Sequence, residues 1–227
     1  MRRLTVVLLA VGGVVVLSLA LSGAFRGGAP PSATEPPTLV IALDAGHGGV
    51  DPGAVAGDVL EKDVTAAITT RLAALLEDLS RFEIVLTRPA DLTISNRDRI
   101  AVAEDSGAIL YLSVHANASD QASAHGIEVW VDKSRALDDD SYLLAQHVLE
   151  TLTASTEGRD RGIRSGDLYL RHADMPAVSV EVGFLTHPHE RERLLDPVYQ
   201  DAVARGILAG VVAYLEPSES PVADEGS

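Results

Sequence analysis

The chain has 227 residues, with 33 acidic against 18 basic side chains, a formal net charge of −15 and no cysteine. That length suits one ordinary domain with a sizeable core once terminal extensions are set aside. The charge argues against a nucleic-acid surface, which normally shows a basic patch, and the lack of cysteine excludes disulfides, a lipidated thiol and thiolate metal ligation, so any metal must be held by His, Asp or Glu.

In chain order, two arginines precede an apolar run over residues 4–21, and Ser22-Gly23-Ala24 resembles a small-residue cleavage site. Residues 1–25 therefore read as a signal peptide or a membrane anchor; the run is long for the first and near the minimum for the second. Either way the protein is expected to be exported to the cell envelope, secreted or tethered through residues 4–21. Residues 26–38, RGGAPPSATEPPT, have the composition of a flexible linker. The folded domain is expected over 39–216, and 217–227 form an acidic, disordered tail.

Inside the domain, apolar runs of strand type alternate with helical patterns. TLVIALDAG is a nearly continuous apolar run that ends in glycine, as a buried parallel strand does. Val64, Ile68, Leu72, Leu75, Leu76 and Leu79 share one stripe and predict a helix from about Glu61. FEIVLTR reads as a strand, SNRDRIAVAEDSG as a short helix, and AILYLSVHAN and GIEVWV as strands. A polar helix over 141–152, a short strand at DLYLR, the apolar strand AVSVEVGFL and a long final helix to about Leu215 complete the pattern. There is no internal repeat or heptad run. The alternation predicts an α/β fold, helices covering both faces of a mostly parallel sheet.

Ligands in such sheets bind beyond the carboxyl ends of the strands. His47 lies just past one such end, His115 in LSVHAN at another, and Glu181 in SVEVGF near a third. Each also has a plainer reading. His47 could be a loop residue or part of a phosphate cradle, although no Lys-Ser/Thr pair or GxGxxG spacing follows it. His115 could be a hydrogen-bonded histidine, and Glu181 half of a buried salt bridge. Glu61 has Asp58 three residues before it, the spacing of a capping box. Together, two histidines and a carboxylate are the ligand set of a catalytic zinc site with one position open to water. A second carboxylate must then move the proton. Glu61 and Glu181 are available for these two jobs, and spacing alone does not assign them.

The motifs LDAGHGGVDPGA, a glutamate at 61, LSVHAN, GIEVW and MPAVSVEVGFLTHPHE, in this order, resemble the zinc-dependent N-acetylmuramoyl-L-alanine amidases of bacterial cell walls, the amidase 3 class. The resemblance extends from about Leu39 to Leu215. It implies a three-layer α/β/α fold with a central, mostly parallel sheet, and Zn2+ bound by His47, Glu61 and His115. Glu181 is then the catalytic residue. The implied reaction is hydrolysis of the amide between N-acetylmuramic acid and L-alanine, with peptidoglycan as partner and the enzyme a monomer. A zinc peptidase or carboxypeptidase acting on the stem peptide, and a non-catalytic wall-binding module, are the alternatives. A serine esterase is disfavoured because G-x-S-x-G is missing. Asp44 and Asp51 either orient a ligand histidine or stabilise the glycine turn. FLTHPHE departs from the family, which commonly has Asn after Ser/Thr; His187 and His189 there read as solvent-facing. The short segment between His115 and Glu181 leaves no helix to cover the zinc, so an open site is expected.

Overall fold

The computed structural model describes residues 38–216. The signal peptide or anchor over 1–25, nearly all of the linker and the tail over 217–227 lie outside the described residues. The elements run β1 (Leu39–Ala45), β2 (Val55–Ala56), β3 (Val59–Leu60), α1 (Glu61–Glu77), β4 (Phe82–Leu86), α2 (Asn96–Asp105), β5 (Leu110–Asn117) and β6 (Ile127–Asp132). Then follow α3 (Asp140–Thr156), β7 (Asp160–Gly166), a 3-10 turn (Tyr169–His172), β8 (Ala177–Phe184), α4 (Pro188–Leu195) and α5 (Pro197–Leu215).

Six strands form one sheet in the order β4-β1-β5-β8-β6-β7. All its pairings are parallel except β6 with β8. Strand alternation divides the core between the two faces. Ile41, Leu43, Leu112, Val114 and Val180 pack under α1, α3 and α5, whereas Ala42, Tyr111 and Ala177 pack with Ile100 and Ala103 of α2 and with Leu170 of the 3-10 turn. This is the expected α/β/α arrangement, with one thick helical layer and one thin one.

Helix termini follow local chemistry. Ser95 and Asp139 cap α2 and α3 by accepting from the backbone N–H groups of Asp98 and Ser141. The long final helix expected from sequence is two helices. Pro197 has no N–H to extend α4, so Asp196 adopts an extended ψ of 120° and caps α5 through Val198 N. DLYLR also departs from expectation. Leu168 N donates to Asp132 Oδ2 at 2.6 Å, and the chain then curls so that Leu170 is buried. The strand lies instead at Asp160–Gly166, pairing with β6 at the sheet edge. An edge strand bonds on one side only and tolerates charged residues, which hides it from an apolar pattern.

Candidate metal centre

β1, β5 and β8 deliver the site from their carboxyl ends. His115 on β5 faces Glu181 on β8, and Glu181 in turn faces Glu128 on β6, so three titratable residues lie in one row across neighbouring strands. The row receives His47 from the loop after β1 and Glu61 from the first residue of α1. Among the described residues, His47, Glu61 and His115 form a group whose candidate ligand atoms lie within 4.8 Å of one another.

Glycine makes that approach feasible. A Cβ on Gly46 would overlap the His115 ring, and on Gly53, where φ is +67°, it would lie 2.6 Å from both Glu61 Oε2 and His47 Cδ2. Backbone bonds between Gly48 and Asp51, at 2.9 and 3.2 Å, close the turn. His47 itself has a φ of 63°, uncommon for a residue with a side chain.

His47 Nδ1 lies 2.8 Å from Asp51 Oδ2, leaving Nε2 to meet Glu61 Oε1 at 3.0 Å. Asp51 thus orients the ring and, by accepting from Gly53 N, also stabilises the turn. His115 Nδ1 reaches the same Glu61 Oε1 at 3.0 Å. The two rings stand edge to face with centroids 4.9 Å apart. Glu61 is buried and accepts from Ala116 N through Oε1 and from Ala54 N through Oε2. It does not act in a capping box: the N-cap of α1 is Leu60, and Asp58 makes no cap there. The Glu61 side chain turns inward because a backbone N–H and an imidazole from the loop, and another of each from β5, meet it there.

Electrostatics follow from this packing. Burial alone would raise the Glu61 carboxyl, but hydrogen bonds from His115 and His47 outweigh it and hold the group well below the usual carboxylate range. The bond to Glu61 lifts His47 to about 9 against the effect of burial. Burial would lower His115, yet its bond to Glu61 and the charges of Glu181 and Glu61 raise it. Glu181 differs: burial pushes it up to about 7, and its Oε2 is buried with no hydrogen-bond partner among the described residues. The salt-bridge alternative therefore has no partner here. Glu181 is a half-buried carboxylate, with one buried and unpartnered oxygen, facing the histidine and glutamate cluster.

Beneath the loop lies a buried polar layer that the sequence reading did not find. Asp44 is fully buried and pairs with Arg99 Nη1 at 2.6 Å; it also accepts from Ser113 Oγ at 2.6 Å and Tyr169 OH at 3.2 Å. Arg99 continues to the carbonyls of Ala45 and His47, and Arg88 Nε donates to Ala45 O at 2.9 Å while its Nη2 reaches Lys62 O at 3.0 Å. Asp44 therefore hydrogen-bonds to neither His47 nor His115; it anchors the arginine that grips the His47 backbone. The available signals were an aspartate in an apolar strand and an arginine just after another strand, both costly to bury without partners. His187 caps α4 by accepting from Glu190 N, half-buried rather than solvent-facing, whereas His189 is exposed. Neither joins the cluster.

Comparisons with known proteins identify the family and the fold. The family model described as N-acetylmuramoyl-L-alanine amidase matches residues 41–213. The amidase LytC of Bacillus subtilis is 35% identical over 175 residues, which cover 77% of this chain and 35% of that protein. The chain thus spans about a third of that relative's length. The germination-specific N-acetylmuramoyl-L-alanine amidase of the same organism is 30% identical over 198 residues, covering 80% of this chain and 82% of that one. The crystal structure of an N-acetylmuramoyl-L-alanine amidase from Clostridium difficile 630 superposes with a TM-score of 0.76 at 36% identity, covering 81% of this chain and 99% of the other. With its fold, its motif order and the residues matched all in accord, the chain belongs to the N-acetylmuramoyl-L-alanine amidase family.

Proposed function

We propose that this chain is a zinc-dependent hydrolase of the amide between N-acetylmuramic acid and L-alanine in peptidoglycan, with His47, Glu61 and His115 as metal ligands and Glu181 as the catalytic residue. The donor set supports zinc. Two imidazoles and one carboxylate converge within 4.8 Å, and the family of catalytic zinc sites uses such a set with a further position open. The Asp51 carboxylate, 2.8 Å from His47 Nδ1, fixes the His47 tautomer, as ligand histidines require. Zinc held there supplies Lewis-acid chemistry, polarising the scissile carbonyl and making a water nucleophilic near neutral pH.

The remaining work falls to the protein. Glu181 accepts the proton of the attacking water and returns it to the departing nitrogen, a role suited to a carboxyl whose pKa burial lifts to about 7. Asp51, Arg99 and Arg88 keep the His47 loop in place. The carrying observation is the unpartnered Glu181 carboxylate beside the His-Glu-His group. Mass spectrometry of digested wall fragments, with and without a chelator, tests the reading. Chelator-sensitive release of stem peptides with a free L-alanine amino terminus is expected; cleavage within the peptide instead would support a zinc peptidase.

We further propose export through residues 1–25, action as a monomer, and a catalytic domain over 39–216. No helix among the described residues is long and apolar enough to cross a membrane; the tether we propose is the apolar run over residues 4–21. N-terminal sequencing of the mature protein separates cleavage from retention.

A further inference from the structure

Next to the His-Glu-His group, the same rim opens into a second, polar cleft of about 490 Å³. Its lining includes Asn117, Glu128, Trp130, Arg159, Arg161 and Phe184. Three of these tie it to the candidate site. Asn117 ends the strand that carries His115, Phe184 ends the strand that carries Glu181, and Glu128 is the register partner of Glu181.

Glu128 is buried at 4% exposure, but its chemistry is spent. Oε1 accepts from Arg161 Nε at 2.7 Å, and Oε2 accepts from Trp130 Nε1 at 3.0 Å and Asn117 Nδ2 at 3.2 Å. A carboxylate so saturated serves to orient its neighbours. The neighbour it orients is Arg161, whose guanidinium lies over the Phe184 ring at 4.9 Å and donates through Nη1 to His125 O at 3.4 Å. Nη2 of Arg161 has no partner among the described residues. Arg159 is exposed, and its side chain has neither hydrogen bond nor ion pair among the described residues. In a chain with 33 acidic and 18 basic side chains, two arginines therefore face one cleft against a single, already engaged acid. A stacked guanidinium held on one edge and open on the other is suited to a planar anion.

We propose that this cleft is a carboxylate-binding subsite for the stem peptide, with Arg161 and Arg159 as its specificity-determining residues. The inference rests on the amidase reading above. The two sides of the scissile amide differ in charge, because the only carboxyl of N-acetylmuramic acid is consumed in that amide while the peptide retains free carboxylates. An arginine pair beside the metal group therefore selects the peptide side. The residue after L-alanine is the nearest such anion when its free carboxyl is not amidated.

The test uses two muramoyl peptides that differ only at that second residue, one with a free carboxylate and one with its carboxamide. Steady-state kinetics are measured on the zinc-loaded protein and on Arg159→Ala and Arg161→Gln. The native protein is expected to favour the carboxylate substrate about tenfold in kcat/KM, through KM, as one charge-assisted hydrogen bond is worth. Both variants should bring the ratio towards unity, through a raised KM on the carboxylate substrate. Arg159 is exposed and unpaired, so its variant still decides the matter if Arg161→Gln, which frees Glu128, fails to fold. A native ratio of unity, or an unchanged ratio in Arg159→Ala and in any folded Arg161→Gln protein, overturns the subsite and leaves the amidase reading standing. Cleavage of neither substrate overturns the amidase reading and the subsite with it.

Discussion

At the scale of single residues, the two glutamates near the histidines are separated by their surroundings rather than by their type. Glu61 is met by two backbone N–H groups and two rings, so it stays ionised, whereas Glu181 has a buried oxygen without a partner and holds its proton more readily. Glu181→Gln should keep zinc content and melting temperature but lose roughly two to four orders of magnitude in turnover, the usual worth of general acid–base catalysis. Metal analysis, thermal melting and turnover on one preparation check this; an early-melting variant with near-normal turnover would assign Glu181 a structural role. A second prediction concerns protons on His47. Its pKa in the folded, metal-free protein is about 9, above the ordinary 6.5, so its contribution to stability is fully present below pH 6.5 and lost as pH rises through about 9. Metal ligation needs the neutral ring, so zinc affinity should rise over that window and zinc uptake at pH 7 should release protons. Calorimetry in buffers of different ionisation enthalpy reads the number released. Zero release would mean that the metal displaces no proton from His47.

At the scale of elements, the loop after β1 is the part most dependent on distant support. Arg99 comes from α2 and Asp44 from β1, and their buried pair lies directly beneath the His47 carbonyl. Arg99→Met strands Asp44 and releases the loop, so a loss of about 3 to 5 kcal/mol is expected, the cost of breaking a buried ion pair. Chemical denaturation measures it, and a loss under 1 kcal/mol would show that the pair is dispensable. The α3–α5 contact offers a test away from the rim. A Cβ on Gly210 would lie 2.5 Å from Val148 Cα, and on Gly206 2.8 Å from Leu152 Cα. Gly210→Ala therefore forces the helices apart, against its gain in helix propensity, and should cost about 1 to 3 kcal/mol, the range for overpacking. Thermal melting should show the loss with turnover per folded molecule unchanged. A variant as stable as the parent would mean that the helices separate freely.

At the scale of the whole molecule, the segment between His115 and Glu181 bears on regulation. Its one α-helix is α3, whose Leu144, Ala145, Val148 and Leu152 are buried in the main core beneath the sheet. It is a covering helix of the fold, away from the His-Glu-His group. The domain over 39–216 should therefore cut wall material without an added protein. A purified domain that stays silent until a second protein is supplied, and then releases stem peptides, would contradict the open site.

How much of this was legible in the sequence depends on the range of the interaction involved. α1, α2, β5 and β8 were readable because a period of 3.6 or a continuous apolar run is a local property that burial rewards directly. His47, His115 and Glu181 were marked by motif and by position near strand ends, and Glu61 by its place at a helix start in the same motif order. That they converge, with Glu61 turned inward instead of capping α1, depended on how β1, β5 and β8 stack side by side. β7 and the curl of DLYLR escaped notice for the opposite reason: an edge strand needs no apolar alternation, and Leu168 is diverted by an aspartate from another strand. The Asp44–Arg99 layer and the Glu128–Arg161 pair were likewise out of reach, since each joins residues 55 and 33 positions apart. The sequence by itself determined the α/β class and most elements through patterns of burial and residue type along the chain, and its resemblance to the amidase motifs singled out the candidate ligands. Only the tertiary structure decided which charges meet, because a buried charge takes its state from partners that the folded sheet brings beside it.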